Sequence, residues 1–446
     1  MLGLNIILGI VGFLLYIIMM SVMIIFERDK PKNIIIWSII FLLTSIFGYI
    51  VYAILRSVFY KKKESLLRKE REDAIFVSLV DDHIYKNKVS SGSELNEFNA
   101  LAYNSKFTTN NQYHIFNDYA EFKADLMTEI QSADRYIIVE LTRFNCQDFE
   151  LIKDLLMDKA QDGVVVKLIH DKRIPNKLVK ALRASGVKVY RFSHHNTVGS
   201  IHANKRNAIV IDGVVAYLGN LDLHNNQLIG TSDMINSYIK LKGDVVQDID
   251  LSAHKDVIFA SGKYMPYEAP KRDIIGQSCN MQYVANEFST DMELLIIKAI
   301  CMAKKSIQLQ LEQFIPTESI MSLLRFAINS NIDVKLMVPI KTNVRTKYYA
   351  SRAYAKELAL FGANVYLYDG FIAFNSIVID GSIVLCGAYT LDREHLSTAL
   401  QNILVIDNAE FAEQFNATFK EGINNSYRIN NAKYMLTREK FFKNFV

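Results

Sequence analysis

Residues 208–223 read AIVIDGVVAYLGNLDL, and residues 376–391 read SIVIDGSIVLCGAYTL. The two stretches are identical at seven of their sixteen positions and start 168 residues apart. In each of them two apolar runs flank Asp-Gly, a dipeptide that is typical of the tight turn in a β-hairpin. A hairpin that occurs twice at this distance indicates an internal repeat of a whole structural unit.

The sequence around the first hairpin alternates between strand and helix patterns. RYIIVEL (135–141) and VVVKLIH (164–170) are typical of buried strands, whereas DYAEFKADLMTEIQSA (118–133) and DFELIKDLLMDKAQDG (148–163) carry apolar residues at helical spacing. This order predicts an α/β fold with a largely parallel sheet flanked by helices.

Other segments recur at the same spacing as the hairpin. VKL begins at Val166 and again at Val334, which is also an offset of 168 residues. We therefore predict two homologous α/β halves, residues 111–265 and 266–446, packed about a pseudo-twofold axis. A cleft where the two halves meet is the expected functional site.

The N-terminal residues differ in composition from the rest of the chain. Residues 3–26 and 34–55 contain no charged side chain, and each stretch exceeds the roughly 20 residues that a helix needs to cross a bilayer. We predict two transmembrane helices within residues 1–60, retained in the mature protein because no basic start or cleavage site marks a signal peptide.

Basic residues set the expected orientation of these spans. The short turn between them, ERDKPKN, offsets three basic residues with two acidic ones, whereas Lys61, Lys62 and Lys63 head a basic run after the second span. This bias predicts that both termini and the globular body face the cytoplasm, in a bacterial-type cytoplasmic membrane. Residues 61–110 are expected to be a basic and polar juxtamembrane linker.

Composition and motifs argue against several classes of function. A net charge of +4 is too small to indicate nucleic-acid binding. The four cysteines lie at positions 146, 279, 301 and 386 without any C-x-x-C pair, so neither a metal site nor a disulfide framework is expected. No G-x-G-x-x-G or P-loop pattern occurs, so no nucleotide cofactor is expected.

The chain resembles the phospholipase D superfamily, and within it the bacterial cardiolipin synthases. Besides the two hairpins, the resemblance rests on the segments ERDKPKNIIIWSIIFLLTSIFGYIVY (27–52), KDLLMDKAQDGVVVKLIHD (153–171), MSLLRFAINSNIDVKLMVP (321–339) and SRAYAKELALFGANVYLY (351–368). In that family each half supplies His-x-Lys-x4-Asp, followed by Gly-x5-Gly-[Ser/Gly/Thr]-x-Asn. One His attacks the phosphorus, the other protonates the leaving group, and Lys and Asn neutralise the phosphoryl oxygens.

The catalytic residues that this resemblance implies are absent from the matching positions. Counting back from Asp212 places Lys205 at the His position and Asn207 at the Lys position, and Asp222 stands where the Asn belongs. The equivalent residues of the second copy, counted from Asp380, are Ala373, Asn375 and Thr390. We therefore predict a vestigial site, with only the Asp-Gly turns, Gly219 and Gly387 retained for the backbone.

Positions beside the site depart from the family pattern as well. Glu312 and Gln313 replace a Pro-Tyr pair, and Gln401 stands where a Glu normally orients the catalytic His. A phosphatidyltransferase that has lost its nucleophile, its acid and its phosphate donors together is expected to be inactive.

Nearby residues offer candidate substitutes. His202 lies three residues from the required place, and an odd offset in a strand turns a side chain to the opposite face unless a bulge intervenes. Lys205 is a candidate nucleophile, but Ala373 supplies no acid for the leaving group. His194 and His195 lie in a polar loop, and His395 lies beyond the second motif.

Three hypotheses follow. The first is a membrane-anchored pseudoenzyme that binds phospholipid headgroups, expected to be anionic, or a protein partner such as an active relative. The second is a divergent active synthase that makes cardiolipin from phosphatidylglycerol. The third is a non-catalytic membrane scaffold.

Overall fold

The computed structural model describes residues 2–27, 31–44, 47–56, 92–142, 146–170, 174–192, 203–219, 234–263, 267, 279–287, 291–340, 344–429, 438–439 and 442–443. The apolar N-terminal region forms three helices: α1 (Leu2–Glu27), α2 (Pro31–Thr44) and α3 (residues 47–56). Met23, Phe41 and Tyr52 form a small buried cluster between them.

The predicted number of membrane spans is not supported by these helices. Across the described residues, none of the helices has both the length and the apolarity that crossing a bilayer requires. In the second apolar stretch α2 has 14 residues, fewer than the roughly 20 needed. Glu27, at the end of α1, accepts hydrogen bonds from Asn33 at 2.9 Å and Arg56 at 2.8 Å, which ties the three helices together.

Two β-sheets with flanking helices form the body. The strands of the first sheet are β2 (Asn111–Phe116), β3 (Tyr136–Leu141), β4 (Val165–His170), β5 (Lys188–Arg191), β7 (Ala208–Ile211), β8 (Val215–Gly219) and β10 (Tyr238–Gly243). Its helices are α5 (Tyr119–Gln131), α6 (Cys146–Gln161), α7 (Asn176–Ala184) and α8 (Val245–Ser261). The strand order is β2-β10-β8-β7-β3-β4-β5.

The second sheet is larger. Its strands are β1 (Phe107–Thr108), β11 (Met281–Ala285), β12 (Ser306–Gln310), β13 (Asp333–Pro339), β14 (Asn364–Tyr368), β16 (Asn375–Ile379), β17 (Ile383–Gly387), β19 (Asn402–Asp407) and β20 (Ser426–Arg428). The helices around it are α4 (Glu94–Tyr103), α9 (Glu293–Met302), α10 (Glu318–Asn329), α11 (Arg345–Leu360), α12 (Arg393–Thr398) and α13 (Ala409–Asn424). The strand order is β1-β11-β19-β17-β16-β12-β13-β14-β20.

Seven strands of the second sheet have the same order and directions as the first sheet. The runs β2-β10-β8-β7-β3-β4-β5 and β11-β19-β17-β16-β12-β13-β14 correspond strand by strand. In both runs only the last three strands pair in parallel, and the other neighbours are antiparallel.

The expectation of a largely parallel sheet is therefore wrong. Helices α6 and α7, and α10 and α11, connect strands that pair in parallel, since a crossover helix returns the chain to the same edge. The Asp-Gly turns instead reverse the chain within a few residues, which forces β7–β8 and β16–β17 to be antiparallel.

The two Asp-Gly turns have the left-handed backbone that this dipeptide favours. The φ angles are 54° at Asp212 and 68° at Gly213, and 52° at Asp380 and 71° at Gly381. Val214 N donates to Ile211 O at 3.0 Å and closes the first turn, and a bond of 3.1 Å closes the second. Positive φ at both central residues is the type I′ geometry that matches strand twist.

Buried apolar side chains lie on both faces of the sheets. One cluster packs beneath the first sheet, another beneath the second, and a third lies between the two sheets, where α8 and α13 contribute Val257 and Phe411. The interior of the body is therefore continuous from one sheet to the other.

Part of the segment expected to be a linker is helical and packed on the second sheet. Leu95 of α4 is buried in the core beneath that sheet. Asn96 and Asn99 each donate a hydrogen bond of 3.0 Å to the Oε1 of Gln282. Most of the basic part of this segment, residues 57–91, lies outside the described residues.

Four short strands connect the two halves. β6 (Ala203–Asn204) pairs with β18 (Ala399–Leu400), and β9 (Met234–Ile235) pairs with β15 (Phe371–Ile372), both in parallel. Each half thus supplies one segment to each pairing, so the chain around the first hairpin is hydrogen-bonded to the second half and vice versa.

Candidate functional site

Lys205 and Ala373 lie at these junction pairings. Lys205 N donates to Leu400 O at 2.8 Å, and Ala373 N donates to Ile235 O, also at 2.8 Å. Both residues are partly exposed. Within the described part of the chain the Lys205 ammonium has no salt-bridge partner. Lys205 and Ala373, which stand where the family pattern has histidines, therefore occupy equivalent places in the two halves. The first carries an amine and the second a methyl group.

Asn207 and Asn375, at the positions matched to lysines, are buried and serve the backbone. Asn207 Oδ1 accepts from Thr142 N at 2.9 Å, just beyond β3, and Asn375 Oδ1 accepts from Glu312 N at 2.6 Å, just beyond β12. Asn375 Nδ2 also donates to Tyr389 O. Each Oδ1 accepts from the backbone amide at the point where the chain leaves a neighbouring strand, so both side chains are bound to the backbone.

Asp212 and Asp380 organise the far end of each hairpin. The carboxylate of Asp212 accepts bonds of 2.8 Å from the backbone amides of residues 134, 135 and 136. Asp380 accepts from the amides of residues 304, 305 and 306 at 2.7 to 3.2 Å. Burial tends to raise the pKa of Asp380, but these three amide hydrogen bonds outweigh it and leave the pKa below its ordinary value.

Thr390 and Gln401 form a buried link in the second half. Thr390 N donates to Gln401 Oε1 at 2.5 Å, and Gln401 Nε2 donates to His395 O at 2.9 Å. Gln401, which the resemblance places where a carboxylate orients a catalytic His, instead holds two backbone groups. Asp222, His202, His194 and His195 lie outside the described residues.

A polar network fills the junction between the halves. Both Oδ atoms of Asp256 accept from Arg206 NH1 at 2.8 Å, and the same guanidinium donates to Asn286 O across the junction. Asn204 Nδ2 donates to Glu140 Oε1 at 2.5 Å. Burial, and then the nearby Asp256 carboxylate, raise the pKa of Glu140 well above its ordinary value, so this side chain favours its neutral form.

The structure brings together one cluster that the sequence interpretation missed. The buried Asp392 accepts at Oδ2 from Gln313 Nε2 at 2.8 Å, Lys347 Nζ at 2.9 Å and His395 Nδ1 at 2.5 Å. Its Oδ1 accepts from His395 N at 2.8 Å, which caps α12. Burial opposes ionisation, but His395 and Lys347 outweigh it and hold the pKa of Asp392 below its ordinary value.

A signal for part of this cluster was present in the sequence. Asp three residues before His at the start of a short helix is a capping pattern, and it places both groups on one turn. Lys347 comes from α11, 45 residues earlier, so its approach depends on the tertiary fold.

A family model and two curated relatives that are similar to this chain carry the name cardiolipin synthase. Residues 296–423 match the family described as cardiolipin synthase, PLD-like domain. The chain is 27% identical to cardiolipin synthase 1 of Staphylococcus epidermidis, over 94% of this chain and 92% of that protein. It is 24% identical to the major cardiolipin synthase ClsA of Bacillus subtilis, over 95% and 94% of the two chains.

A solved structure supports the same fold. The phosphatidylserine synthase of Haemophilus influenzae superposes with a TM-score of 0.56, covering 75% of this chain and 92% of that one at 11% identity. Together with the paired hairpins and the strand order, these similarities show a phospholipase D-like fold. The chain is similar to cardiolipin synthases over nearly its whole length, and its residues 296–423 match their PLD-like domain.

Proposed function

We propose that this protein is a membrane-associated pseudoenzyme of the cardiolipin synthase type, which binds phospholipid headgroups without transferring them. The observation that carries this proposal is which residues occupy the two histidine and two lysine positions of the family pattern, and what they bind. Lys205 and Ala373 replace both histidines, and the oxygens of Asn207 and Asn375 are hydrogen-bonded to backbone amides.

The chemistry of phosphatidyl transfer needs groups that these positions lack. A covalent intermediate requires a nucleophile on one side of the phosphate and a proton donor on the other. A methyl group at Ala373 can supply neither, and neutral amides at Asn207 and Asn375 carry no charge. Loss of the nucleophile from a coupled catalytic set reduces turnover by about a millionfold.

Attachment to the membrane is supported by the surface of α1, α2 and α3. Large apolar side chains on these helices are exposed: Ile10, Val11, Phe13, Leu14, Leu15, Ile17, Ile18, Ile24, Ile25, Ile35, Ile36, Ile39, Leu42, Leu43, Phe47, Ile50, Val51, Ile54 and Leu55. A continuous apolar surface of this kind marks a contact with lipid or protein. We propose that residues 1–60 attach the protein to a bacterial-type cytoplasmic membrane, with the body and both termini on the cytoplasmic side.

The two halves of the body are proposed to be homologous, with boundaries at residues 111–265 and 266–446. Support comes from the shared strand order and from the reciprocal pairings of β6 with β18 and β9 with β15. Reciprocal contacts are what a pseudo-twofold axis between two copies produces. A partner such as an active relative is a further part of this proposal.

A divergent active synthase remains the second candidate, and one observation favours it. The contact of 2.5 Å between His395 Nδ1 and the buried Asp392 carboxylate is the arrangement that orients an imidazole for proton transfer. This candidate requires a nucleophile on the opposite side of a bound phosphate. Lys205 is the group in the described part of the site that could serve.

The experiment uses purified full-length protein in detergent with labelled phosphatidylglycerol. Two readouts are made on the same sample: cardiolipin formation, and flotation with phosphatidylglycerol vesicles compared with phosphatidylcholine vesicles. The proposal expects flotation with the anionic vesicles and no cardiolipin above background. Cardiolipin formation supports the active candidate, whereas absence of flotation removes the lipid-binding part of the proposal.

A further inference from the structure

Lys347 and His395 lie side by side in the second half because both side chains bind the same carboxylate oxygen of Asp392. Both Lys347 Nζ and His395 Nδ1 contact Oδ2 of Asp392, at 2.9 and 2.5 Å. The carboxylate is nearly inaccessible, with 3% of its side chain exposed, whereas 21% of Lys347 and 16% of His395 are exposed. The carboxylate therefore lies beneath an ammonium group and an imidazole that both reach the surface.

Each of these side chains has hydrogen-bonding capacity that the carboxylate does not use. An ammonium group has three donors, and the described residues show one bond for Lys347 Nζ, to Asp392. A histidine whose Nδ1 faces a carboxylate has Nε2 as its second ring nitrogen, and the described residues show no hydrogen bond to it.

The cluster is tied rigidly to the matched position Thr390. Gln401, fully buried, accepts from Thr390 N and donates to His395 O, which fixes the backbone of His395 relative to the second hairpin. Gln313, also buried, donates to the same Asp392 Oδ2 that holds the cations. The orientation of the pair is therefore set before any ligand arrives, and preorganised donors lose little entropy on binding.

We propose that Lys347 and His395, neither of which is a matched motif position, form a binding site for a phosphate oxyanion, positioned by Asp392. The ligand class is a phosphate group, carried either by a phospholipid headgroup or by a small free phosphate. The lipid form of this proposal rests on the proposed lipid-binding function, whereas the free-phosphate form does not.

The test titrates purified full-length protein in detergent with two probes by calorimetry. One probe is inorganic phosphate, and the other is dihexanoyl phosphatidylglycerol, a soluble short-chain lipid, with dihexanoyl phosphatidylcholine for comparison. The variants are Lys347→Met and His395→Gln. Lys335→Met is the matched control, because Lys335 is a partly exposed lysine paired with Asp333 at 3.0 Å.

We expect each of the two site variants to weaken binding about tenfold or more, because a hydrogen bond to a charged group is lost. The control is expected to bind like the wild type. Lys347→Met also leaves Asp392 with one fewer cation and so risks unfolding, and Lys347→Arg, which keeps the charge, is expected to retain most of the affinity. Thermal unfolding of each variant verifies that it is folded.

The outcomes distinguish a lipid headgroup from free phosphate as the ligand. They also distinguish failure of the binding site from failure of the proposed function. A loss confined to phosphatidylglycerol identifies a headgroup site, and a loss confined to phosphate identifies a site for small anions. Wild-type protein that binds neither probe, or folded site variants that bind both probes as the control does, would overturn the site. Cardiolipin formation by the wild type would overturn the proposed function and leave the site standing.

Discussion

At the scale of single residues, the asparagines at two matched positions are hydrogen-bonded to the backbone. Asn207 and Asn375 occupy equivalent places in the two halves, and each accepts a backbone amide where the chain leaves a strand. Thr142 is buried whereas Glu312 is exposed, so only the Thr142 amide is shielded from water that could replace a lost acceptor.

Replacing either asparagine with alanine is therefore expected to destabilise the fold. For Asn207→Ala we expect a loss of about 1–3 kcal/mol in the free energy of unfolding, because the buried amide of Thr142 loses its acceptor. For Asn375→Ala we expect a loss of about 0.5–1.5 kcal/mol, because Glu312 is exposed and water can replace the acceptor of its amide. Urea unfolding followed by circular dichroism measures this. Asn425→Ala, at the end of α13, serves as a comparison outside the site. Unchanged stability in both site variants would contradict the structural role.

The pH dependence of Asp380 gives a second residue-scale prediction. The pKa of this carboxyl is lowered in the folded state from its ordinary 3.8, so its stabilising contribution is present above that pH and is lost as the pH falls through the lowered value. Asp380→Asn should destabilise the protein at pH 7, and the difference from the wild type should shrink below about pH 3.8.

Unfolding measured from pH 7 to pH 3 tests this prediction. Asp162→Asn is the control, because Asp162 is exposed at the end of α6. If the difference in free energy of unfolding between the wild type and Asp380→Asn stayed constant over this pH range, the prediction would be contradicted. The hydrogen bonds from the three amides would then not depend on the negative charge of Asp380.

The sequence alone locates these asparagines and aspartates but does not reveal their hydrogen-bond partners. Spacing from the Asp-Gly turn locates Asn207 and Asn375, because the hairpin fixes the register. It cannot reveal that their oxygens bind the amides of Thr142 and Glu312, some 65 and 63 positions away. His395 was passed over for the same reason, since Lys347 joins it through tertiary packing.

At the scale of elements, the short junction strands determine how the halves meet. β6 and β15 are two residues long, and each is prolonged by one further hydrogen bond, from the amides of Lys205 and Ala373. The backbone of these two residues thus has a role that does not depend on their side chains.

A pair of substitutions at Lys205 separates these two roles. Lys205→Pro removes the amide that donates to Leu400 O and is expected to lower the free energy of unfolding by about 3 kcal/mol. Lys205→Ala keeps the amide and is expected to change stability by less than about 0.5 kcal/mol. Equal effects of the two variants in chemical denaturation would argue against the junction pairing.

Helices and strands are predicted correctly where the sequence pattern is local. The prediction fails where the outcome depends on which distant strands pair. The hairpins, the strands at 136–141 and 165–170 and the helices α5 and α6 follow from periodicity and turn residues. The mixed sheet was missed because the βαβ pattern was extended over strands that the Asp-Gly turns make antiparallel. Helix α4 was missed because SSGSELNEFN is polar, and its buried side is narrow: Leu95, Asn96 and Asn99.

At the scale of the whole molecule, the two halves share a buried polar junction. Arg206 and Asp256 pair there, and Arg206 also donates to Asn286 in the second half. Removing one partner of a buried ion pair costs about 3–5 kcal/mol because the other charge is left unpaired. Since Arg206 bonds both halves, we expect them to unfold together.

Glu140 makes the stability of this junction depend on pH. Its pKa is raised in the folded state above the ordinary 4.5, so its favourable contribution is complete below that value and is lost as the pH rises through the raised value. Glu140→Gln does not titrate and should gain stability relative to the wild type as the pH increases from 5 to 8.

Calorimetry over that pH range measures the effect. Asp256→Asn is the contrasting variant, since it leaves Arg206 without its carboxylate and should destabilise the protein at every pH. If the stability difference between the wild type and Glu140→Gln did not change with pH, this would contradict a raised pKa of Glu140 in the folded state.

The central claim is that the fold of a cardiolipin synthase persists here without its transferase chemistry. The most direct measurement is cardiolipin formation from labelled phosphatidylglycerol by purified full-length protein, beside the major cardiolipin synthase ClsA of Bacillus subtilis under the same conditions. Lys205→Ala, His202→Ala and His395→Gln variants are assayed in parallel. The account predicts product from ClsA and none above the protein-free background from this protein. Cardiolipin made by the wild type and lost in any of the three variants would contradict the account and identify the replacement catalytic group.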